Sequence, residues 1–329
     1  MSPRRLFGGL VLLVAALFLA SVLTGPAGMG TAQEILALIG RGDALAVMVM
    51  QEIRLPRAVL GVFLGASLGL GGAAVQGFLR NPLAEPGLIG TSASASLGAV
   101  LAIQSGLAAA LPLGLPLAAL AGALVSVLLI LGLAGARGGA LPLILAGIAI
   151  SAMAAAGTSL VLNLSPNPFA ANEIIFWMMG SLADRSMLHV WTVLPFFAVG
   201  TVLLLAAGRG LDALTLGEDA AASMGLRLGR MRMALVIGVA ALVGSSTAVA
   251  GAVGFVGLVV PHLLRRAVGS SPARLLPASA LGGAAVILAA DIAVRVIAPG
   301  RDLKLGVLTA LVGAPFFLHL IWRTRAEGA

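Results

Sequence analysis

Few side chains in this sequence could carry out chemistry on their own. Its three histidines, His189, His262 and His319, are far apart, and the chain contains no cysteine. None of the histidines pairs with another at helical spacing, so they do not predict a metal centre. The only lysine, Lys304, precedes Leu305, whereas the phosphate-binding loop GxxxxGK[ST] needs a serine or threonine after its lysine. The sequence therefore lacks this nucleotide-binding motif.

One pair of opposite charges falls inside an apolar stretch. Asp291 and Arg295 are four residues apart, so they share one helix face, and we predict a mutual ion pair rather than a proton relay. Ion-gradient-driven carriers place ionisable groups deep in their spans, whereas almost every other charge here lies at the end of an apolar run. A secondary carrier is therefore the less favoured alternative, and a membrane enzyme is weaker still because no acid, base and nucleophile converge.

The composition decides which elements must position these groups. Of 329 residues, 60% are hydrophobic and 10% are charged, against about 25% charged residues in soluble domains. This excludes a soluble enzyme, and the long continuous apolar runs disfavour a β-barrel. The net charge of +8 is spread as single or paired arginines between the runs, which indicates membrane orientation rather than a nucleic-acid partner. We predict an all-α polytopic membrane protein that forms a single domain over residues 1–329.

About ten transmembrane helices fit the apolar runs, since each helix needs about 20 apolar residues. The run at 254–266 is short and contains Pro261, so we expect a half-helix that is shielded by its neighbours. The predicted spans lie near 6–25, 57–79, 87–105, 112–134, 141–163, 187–208, 233–250, 254–266, 274–297 and 305–322.

The distribution of arginines predicts the orientation of the chain. With the N-terminus in the cytoplasm, ten spans return the C-terminus there and place most arginines inside, as the positive-inside rule requires. Arg4 and Arg5 precede a first apolar run that is longer than a usual signal-peptide core. We therefore expect a retained membrane anchor, with a cleaved signal peptide as the alternative.

The longest predicted cytoplasmic loop contains a short helix signal. Thr215 and Glu218 have the spacing of a capping box, Asp219 adds a charge that suits a helix N-terminus, and Gly225 can end the helix. Alanines cover much of the surface of this predicted two-turn helix and would let another protein approach closely. The segment is interpreted as a docking helix or as a solvated connector.

Glycine and proline mark two further features. Gly61, Gly65 and Gly69 recur at every fourth residue, a pattern that lets membrane helices pack closely. Packing is the favoured role, and contact of Gly65 and Gly69 with a translocation path is the alternative. Pro261 and Pro315 lie inside predicted spans, where they predict bends around a cavity or gate.

The ordered motifs of the chain resemble one family of transport proteins, the permease subunits of ATP-binding-cassette importers for iron chelates and cobalamin, called the FecCD family. The resemblance extends from Arg54 to Arg323. It rests on the motifs RLPR, QGFLRNPLAEPGLIGTS, LAGIAIS, FWMMGSLA, LGEDAAASMGL, GFVGLVVPHLLRR, DIAVR and LTALVGAPFFL.

This resemblance implies a type II importer bundle like that of the cobalamin-importer permease, located in the bacterial inner membrane. It implies a homodimer with the path along its two-fold axis and two separate ATPase subunits on the cytoplasmic side. The ATPase subunits would bind ATP-Mg, and this chain would bind no cofactor and no metal. The residues that match the ATPase-coupling helix, near 215–225, are Gly217, Glu218, Asp219, Ala221 and Gly225.

The resemblance also implies contacts on the periplasmic side. Arg54, Arg57 and Arg295 match the positions at which such permeases receive the acidic residues of a periplasmic substrate-binding protein. Arginine suits bidentate pairing with carboxylates. Ordinary interfacial snorkelling of these side chains is the alternative.

The family resemblance leaves a choice of cargo. The segments LAEPGLIG and FWMMGSLA are closer to haem and ferric-siderophore permeases than to cobalamin permeases, so an iron chelate is predicted, with haem favoured. Met178 and Met179 are candidates for contact with haem along the path, although methionines near a span end commonly pack.

Overall fold

The computed structural model describes residues 3–25, 28–134, 140–298 and 303–327. These residues form helices joined by turns, and no strand occurs among them. The helices are α1 Pro3–Leu23, α2 Thr31–Leu38, α3 Ala44–Met48, α4 Leu55–Leu79, α5 Thr91–Gln104, α6 Leu107–Ala110, α7 Gly114–Ala134, α8 Ala140–Asn163, α9 Pro168–Met178, α10 Met187–Ala206, α11 Gly208–Leu214, α12 Glu218–Ser223, α13 Leu228–Val239, α14 Ser245–Ala250, α15 Val256–Arg265, α16 Pro272–Ile297 and α17 Leu305–Glu327.

Each predicted span contains a helix, but the helices differ in length. Within the described ranges, 7 helical segments are long and apolar enough to cross a membrane. They comprise α1, the segment from α3 through α4, α7, α8, α10, the segment from α13 through α14, and α16. The three other predicted spans correspond to α5, to α15 and to α17. The all-helical membrane fold is confirmed, with three of its predicted spans formed by helices outside that set.

The helices α4 and α16 form the centre of the bundle and run antiparallel. A Cβ atom added at Gly65 would lie 2.2 Å from the carbonyl oxygen of Gly283, and one at Gly69 would lie 2.0 Å from that of Ser279. At these points backbone meets backbone with no side chain between, as the glycine spacing predicts. Further along the same register Arg57 lies beside Asp291. We call this end of the pair the arginine end, and the opposite end, near α12, the α12 end.

The segment before α4 is longer than predicted. Helix α3 continues through a π-helical turn, Val49–Arg54, into α4, so that Ala44–Leu79 is one helical segment of 36 residues. π-helical turns insert an extra residue and change the face on which the following side chains lie. Arg54 ends this turn and is buried, whereas Arg57 lies one turn further into the helix.

The short predicted span at 254–266 is a half-helix, as expected. Helix α14 ends at Ala250, residues 251–254 are irregular, and α15 begins after Phe255, whose φ of 67° is left-handed. Gly313 of α17 packs directly on this residue, because a Cβ at Gly313 would lie 2.3 Å from the Phe255 Cβ. Irregular backbone at membrane depth survives only where protein covers it, and α17 provides part of that cover.

Candidate coupling and docking sites

Helix α12 is a short, well-terminated helix at one end of the bundle. It begins after Gly217, whose φ of 105° is unfavourable for residues with a side chain, and it contains Glu218 and Asp219 in its first turn. At its end the Gly225 N–H donates to Ala222 O and the Leu226 N–H donates to Ala221 O. Gly225 is left-handed, with a φ of 88°. This is a Schellman ending, and the prediction that Gly225 ends the helix is confirmed.

The capping box predicted from Thr215 and Glu218 is wrong. Helix α12 has no side-chain cap, and the Thr215 hydroxyl instead donates to the backbone oxygen of Asp212 at 2.6 Å. Thr215 therefore ends α11 rather than starting α12. The left-handed region is readily open to glycine, and Gly217 lets the chain change direction between the two helices.

One face of α12 is buried and its tip is apolar and exposed. Ala221 is 0% exposed, whereas Leu216 and Met224, which flank the helix, are 67% and 66% exposed. Asp219 and Gly225 are also exposed. An exposed apolar side chain thus lies at each end of a short helix with an acidic first turn, a surface suited to contact with another protein. We call Leu216–Gly225 the α12 tip.

At the arginine end, two arginines share one buried carboxylate. Arg57 donates to Asp291 through Nε, at 3.0 and 3.1 Å, and through Nη2, at 2.8 Å. Arg295 Nη2 lies 2.9 Å from Asp291 Oδ2, so the predicted pair between Asp291 and Arg295 is confirmed. Asp291 is 1% exposed. Arg295 also donates to the backbone oxygens of Ser21 and Thr24, at 2.8 and 2.6 Å, which ties α16 to the end of α1.

The third arginine has a separate partner. Arg54 is 4% exposed, and its Nη1 donates to Glu34 of α2 at 2.7 Å. A Cβ at Gly25 would lie 2.6 Å from the Arg54 Nε, so a larger residue at position 25 would displace the guanidinium. The burial of Arg54 means that an incoming partner could not reach it in this conformation. Arg57 and Arg295 are more accessible, with 18% and 11% of their side chains exposed.

Charge is not balanced within this cluster. The three guanidinium groups of Arg54, Arg57 and Arg295 face two carboxylates, Glu34 and Asp291, which leaves one positive charge in excess. An acidic group brought to the arginine end would therefore be attracted. We call these five residues the arginine cluster.

The interrupted helix between α14 and α15 has polar partners on both sides of its break. The Glu85 carboxylate accepts from the backbone N–H of Phe255 at 3.1 Å, which suits the positive N-terminus of α15. The Arg185 Nε donates to the Val249 carbonyl near the end of α14 at 2.6 Å. Burial lowers the pKa of Arg185, and the neighbouring Asp184 carboxylate opposes this shift. These contacts satisfy backbone groups that a broken membrane helix exposes.

The six predicted path residues occupy different environments. Gly65 and Gly69 are buried against α16, which gives them a packing role and no room to line a path in this conformation. Met178 is half-buried and packs against the cluster of Val100, Ile103 and Ile174.

The other three path residues are not brought together. Met179 is 38% exposed, Pro261 is buried within α15, and Pro315 is exposed within α17. Their assignment to a path stays a prediction.

The groups that hold metals or cofactors are sparse. Among the residues described, no group of three or more histidine, aspartate or glutamate side chains could hold a metal ion. The acidic side chains of the arginine cluster are already engaged by arginines, which is unsuitable for a cation.

These features define a polytopic helical membrane protein with a short exposed helix at one end of the bundle and an arginine cluster at the other. The profile of the FecCD transport family matches residues 12–323, and the chain belongs to that family, whose members are permease subunits of ABC importers.

Several relatives cover most of the chain. The uncharacterized ABC transporter permease YvrB of Bacillus subtilis is 39% identical over 88% of this chain and 83% of its own. The hemin transport permease HmuU of Yersinia pestis is 34% identical over 99% and 97%. The cobalamin import permease BtuC of Halobacterium salinarum is 40% identical over 84% and 74%. A chain from a metal-chelate type ABC transporter, solved in an inward-facing conformation, superposes with a TM-score of 0.86 at 30% identity, covering 98% of this chain and 99% of that one.

Sequence reasoning missed several structural residues. Arg185 and Glu34 belong to no recognised motif. Glu85 lies within the motif QGFLRNPLAEPGLIGTS, but that motif does not show its contact with the Phe255 N–H. The partners of all three residues are distant in the sequence. Helices α2, α3 and α9 were not predicted. Pro168 and the preceding Asn167, whose side chain accepts from the Phe169 N–H, are the helix-start signal that could have located α9.

Proposed function

We propose that this permease carries an iron chelate, with haem the favoured cargo and ferric siderophores next, from the periplasm to the cytoplasm. The observation that carries this proposal is that the bundle has an exposed apolar surface, the α12 tip, at one end and an excess of positive charge, the arginine cluster, at the other. On this proposal residues 1–329 act as one permease domain in a bacterial inner membrane, with both termini in the cytoplasm.

The α12 tip is proposed to bind a separate ATPase subunit. Gly217, Glu218, Asp219, Ala221 and Gly225 shape it, and the exposed apolar side chains beside them supply contact area. The sequence has no GxxxxGK[ST] motif, so ATP-Mg would be bound and hydrolysed by that partner. This chain would bind no cofactor. A homodimer with two ATPase subunits would complete the transporter.

The arginine cluster is proposed to face the periplasm and receive a substrate-binding protein. Arg57 and Arg295 are the accessible members, and the unbalanced positive charge would attract acidic side chains. Arg54 would act indirectly, because its guanidinium holds α2 against α4 through Glu34. The docking assignment is thereby narrowed to two arginines and one supporting residue.

The choice of cargo rests on relatives and on one exposed side chain. The hemin permease of Yersinia pestis matches nearly the full length of both chains. The Met179 thioether is exposed where α9 ends, and thioethers make favourable contacts with aromatic rings. The similarity to cobalamin permeases makes cobalamin the second candidate cargo.

The experiment is uptake by the purified permease reconstituted with its ATPase and binding protein in vesicles. We expect ATP-dependent uptake of haem above ferric siderophores and cobalamin. If the binding protein does not bind haem, we still expect ATP-dependent uptake of another chelate. Uptake without the ATPase, driven by an ion gradient, would contradict the proposal and support a secondary carrier.

A further inference from the structure

Helix α11 lies between the α12 tip and the central pair of helices. Leu211 is 0% exposed, and a Cβ at Gly77 of α4 would lie 3.4 Å from it. A Cβ at Gly208, three residues earlier in α11, would lie 3.2 Å from the Cα of Ala273 in α16. Helix α11 is therefore wedged against both α4 and α16 at the α12 end. Only Thr215–Gly217 separates it from α12.

A single carboxylate joins α11 to the start of α16. The Asp212 Oδ1 accepts from the Ser271 hydroxyl at 3.1 Å and from the Ala273 N–H at 2.9 Å. Ala273 lies in the first turn of α16, where N–H groups lack partners within the helix and carry partial positive charge. Hydrogen bonds to an ionised acceptor are about twice as strong as neutral ones. Apolar contact alone would permit sliding, whereas this bond fixes the position of α11 along α16.

The joined helix continues to the other end of the molecule. Helix α16 is locked to α4 by the backbone contacts at Gly65 and Gly69, so neither helix can slide without a clash. Its last turns carry Asp291 and Arg295. A displacement of α11 that Asp212 passes to α16 thus reaches the arginine cluster along one continuous helix, whose internal Pro277 lies in the second turn, before the backbone contacts with α4.

We infer that Asp212 is a positioning residue, which transmits movement of the α12 tip through the α4–α16 pair to the arginine cluster. This inference rests on the proposed function, in which the ATPase moves α12. It assigns a coupling role to a residue outside the α12 tip. It predicts that loss of the Asp212 bonds uncouples the two ends while the tip still binds the ATPase.

The test uses the complete permease–ATPase complex in lipid nanodiscs. The chain has no cysteine, so a single cysteine at Val296, which is 62% exposed near the end of α16, can carry an environment-sensitive fluorophore. The label reports the response of the arginine end to a non-hydrolysable ATP analogue. Co-purification of the ATPase reports binding at the α12 tip. Asp212→Ala removes the acceptor, whereas the matched control Asp212→Asn keeps an oxygen in the same place.

In Asp212→Ala we expect the fluorophore response of the arginine end to the ATP analogue to fall by about tenfold, because two hydrogen bonds to a charged acceptor are lost. The ATPase should still co-purify, and Asp212→Asn, which keeps a neutral acceptor, should lose less of the response than Asp212→Ala. Ser271→Ala removes one of the two bonds, together with the cap bond that its hydroxyl accepts from the Arg274 N–H at 3.4 Å, and should give an intermediate loss, which decides the question if Asp212→Ala does not fold. An unchanged response in Asp212→Ala or Ser271→Ala, or no response in the parent with the ATPase bound, would overturn the inference. Failure of the parent to bind the ATPase would instead contradict the proposed function.

Discussion

Replacing Asp291 with asparagine removes the carboxylate that Arg57 and Arg295 both contact. Asp291 is 1% exposed, and its oxygens lie 2.8 to 3.1 Å from the nitrogens of Arg57. Breaking a buried ion pair by removing one partner costs about 3–5 kcal/mol, because the remaining charge is left uncompensated. Asparagine keeps one acceptor and Arg57 is partly exposed, so we expect a loss of about 2–3 kcal/mol in the free energy of unfolding.

The assay is reversible unfolding of the purified permease in mixed detergent micelles, with a double-mutant cycle that combines Asp291→Asn and Arg57→Gln. The two changes should be non-additive by about 1–2 kcal/mol, because both remove the same contact. The control is Asp43→Asn, since Asp43 is exposed and makes no side-chain cap on α3. It should change stability by less than about 0.5 kcal/mol. If Asp291→Asn were equally neutral and the cycle additive, the cluster would not stabilise the α4–α16 pair.

The other predictions concern the α4–α16 contact and the two proposed docking ends. Gly69→Leu should destabilise the fold by more than about 3 kcal/mol, because a Cβ at position 69 meets the backbone of α16. The control Gly87→Ala should leave stability unchanged, because a Cβ at position 87 has nothing within 4 Å. Thermal unfolding measures both. Leu216→Asp and Met224→Asp should each weaken ATPase binding by about tenfold or more, as measured by titration, without changing stability, because both side chains are exposed. Arg57→Gln should weaken docking of the binding protein and reduce the salt dependence of its affinity.

Each of these has an outcome that would count against it. A stable Gly69→Leu variant would mean that α4 and α16 can separate. Unchanged ATPase affinity in both α12 tip variants would remove the tip from that interface. For Arg57, the matched variant is Arg54→Gln. It should lower stability, because the ion pair with Glu34 is lost, and it should change the salt dependence of docking little. Equal salt effects from both arginines would contradict the division between accessible and buried members.

The sequence predicted well those features that depend on neighbours along the chain. Continuous apolar runs located the spans, because every membrane helix must satisfy its own backbone and present apolar side chains. The spacing of Asp291 and Arg295 predicted their ion pair, since four residues bring two side chains together on any helix. The glycine spacing in α4 predicted close packing for the same reason. Family motifs then supplied the class of transporter.

Features set by distant partners could not be read in this way. Arg57 and Asp291 are 234 residues apart, and only the antiparallel register of α4 and α16 brings them together. The capping-box prediction for Thr215 failed because spacing alone does not show which helix a hydroxyl serves. Here Gly217, with its positive φ, separates the two helices. Thr215 therefore belongs to the end of α11.

The packing of α4 and α16 also limits how such a permease can change conformation. Where Gly65 meets Gly283, no side chain lies between the helices, so sliding would drive backbone atoms into one another. The pair must therefore move as one body. The same kind of contact extends to α15, because a Cβ at Gly72 of α4 would lie 1.9 Å from the Gly257 carbonyl oxygen, and to the break at residues 251–254, where a Cβ at Gly251 would meet the Trp177 carbonyl oxygen. Relative movement has to occur elsewhere in the bundle, where helices meet through side chains alone.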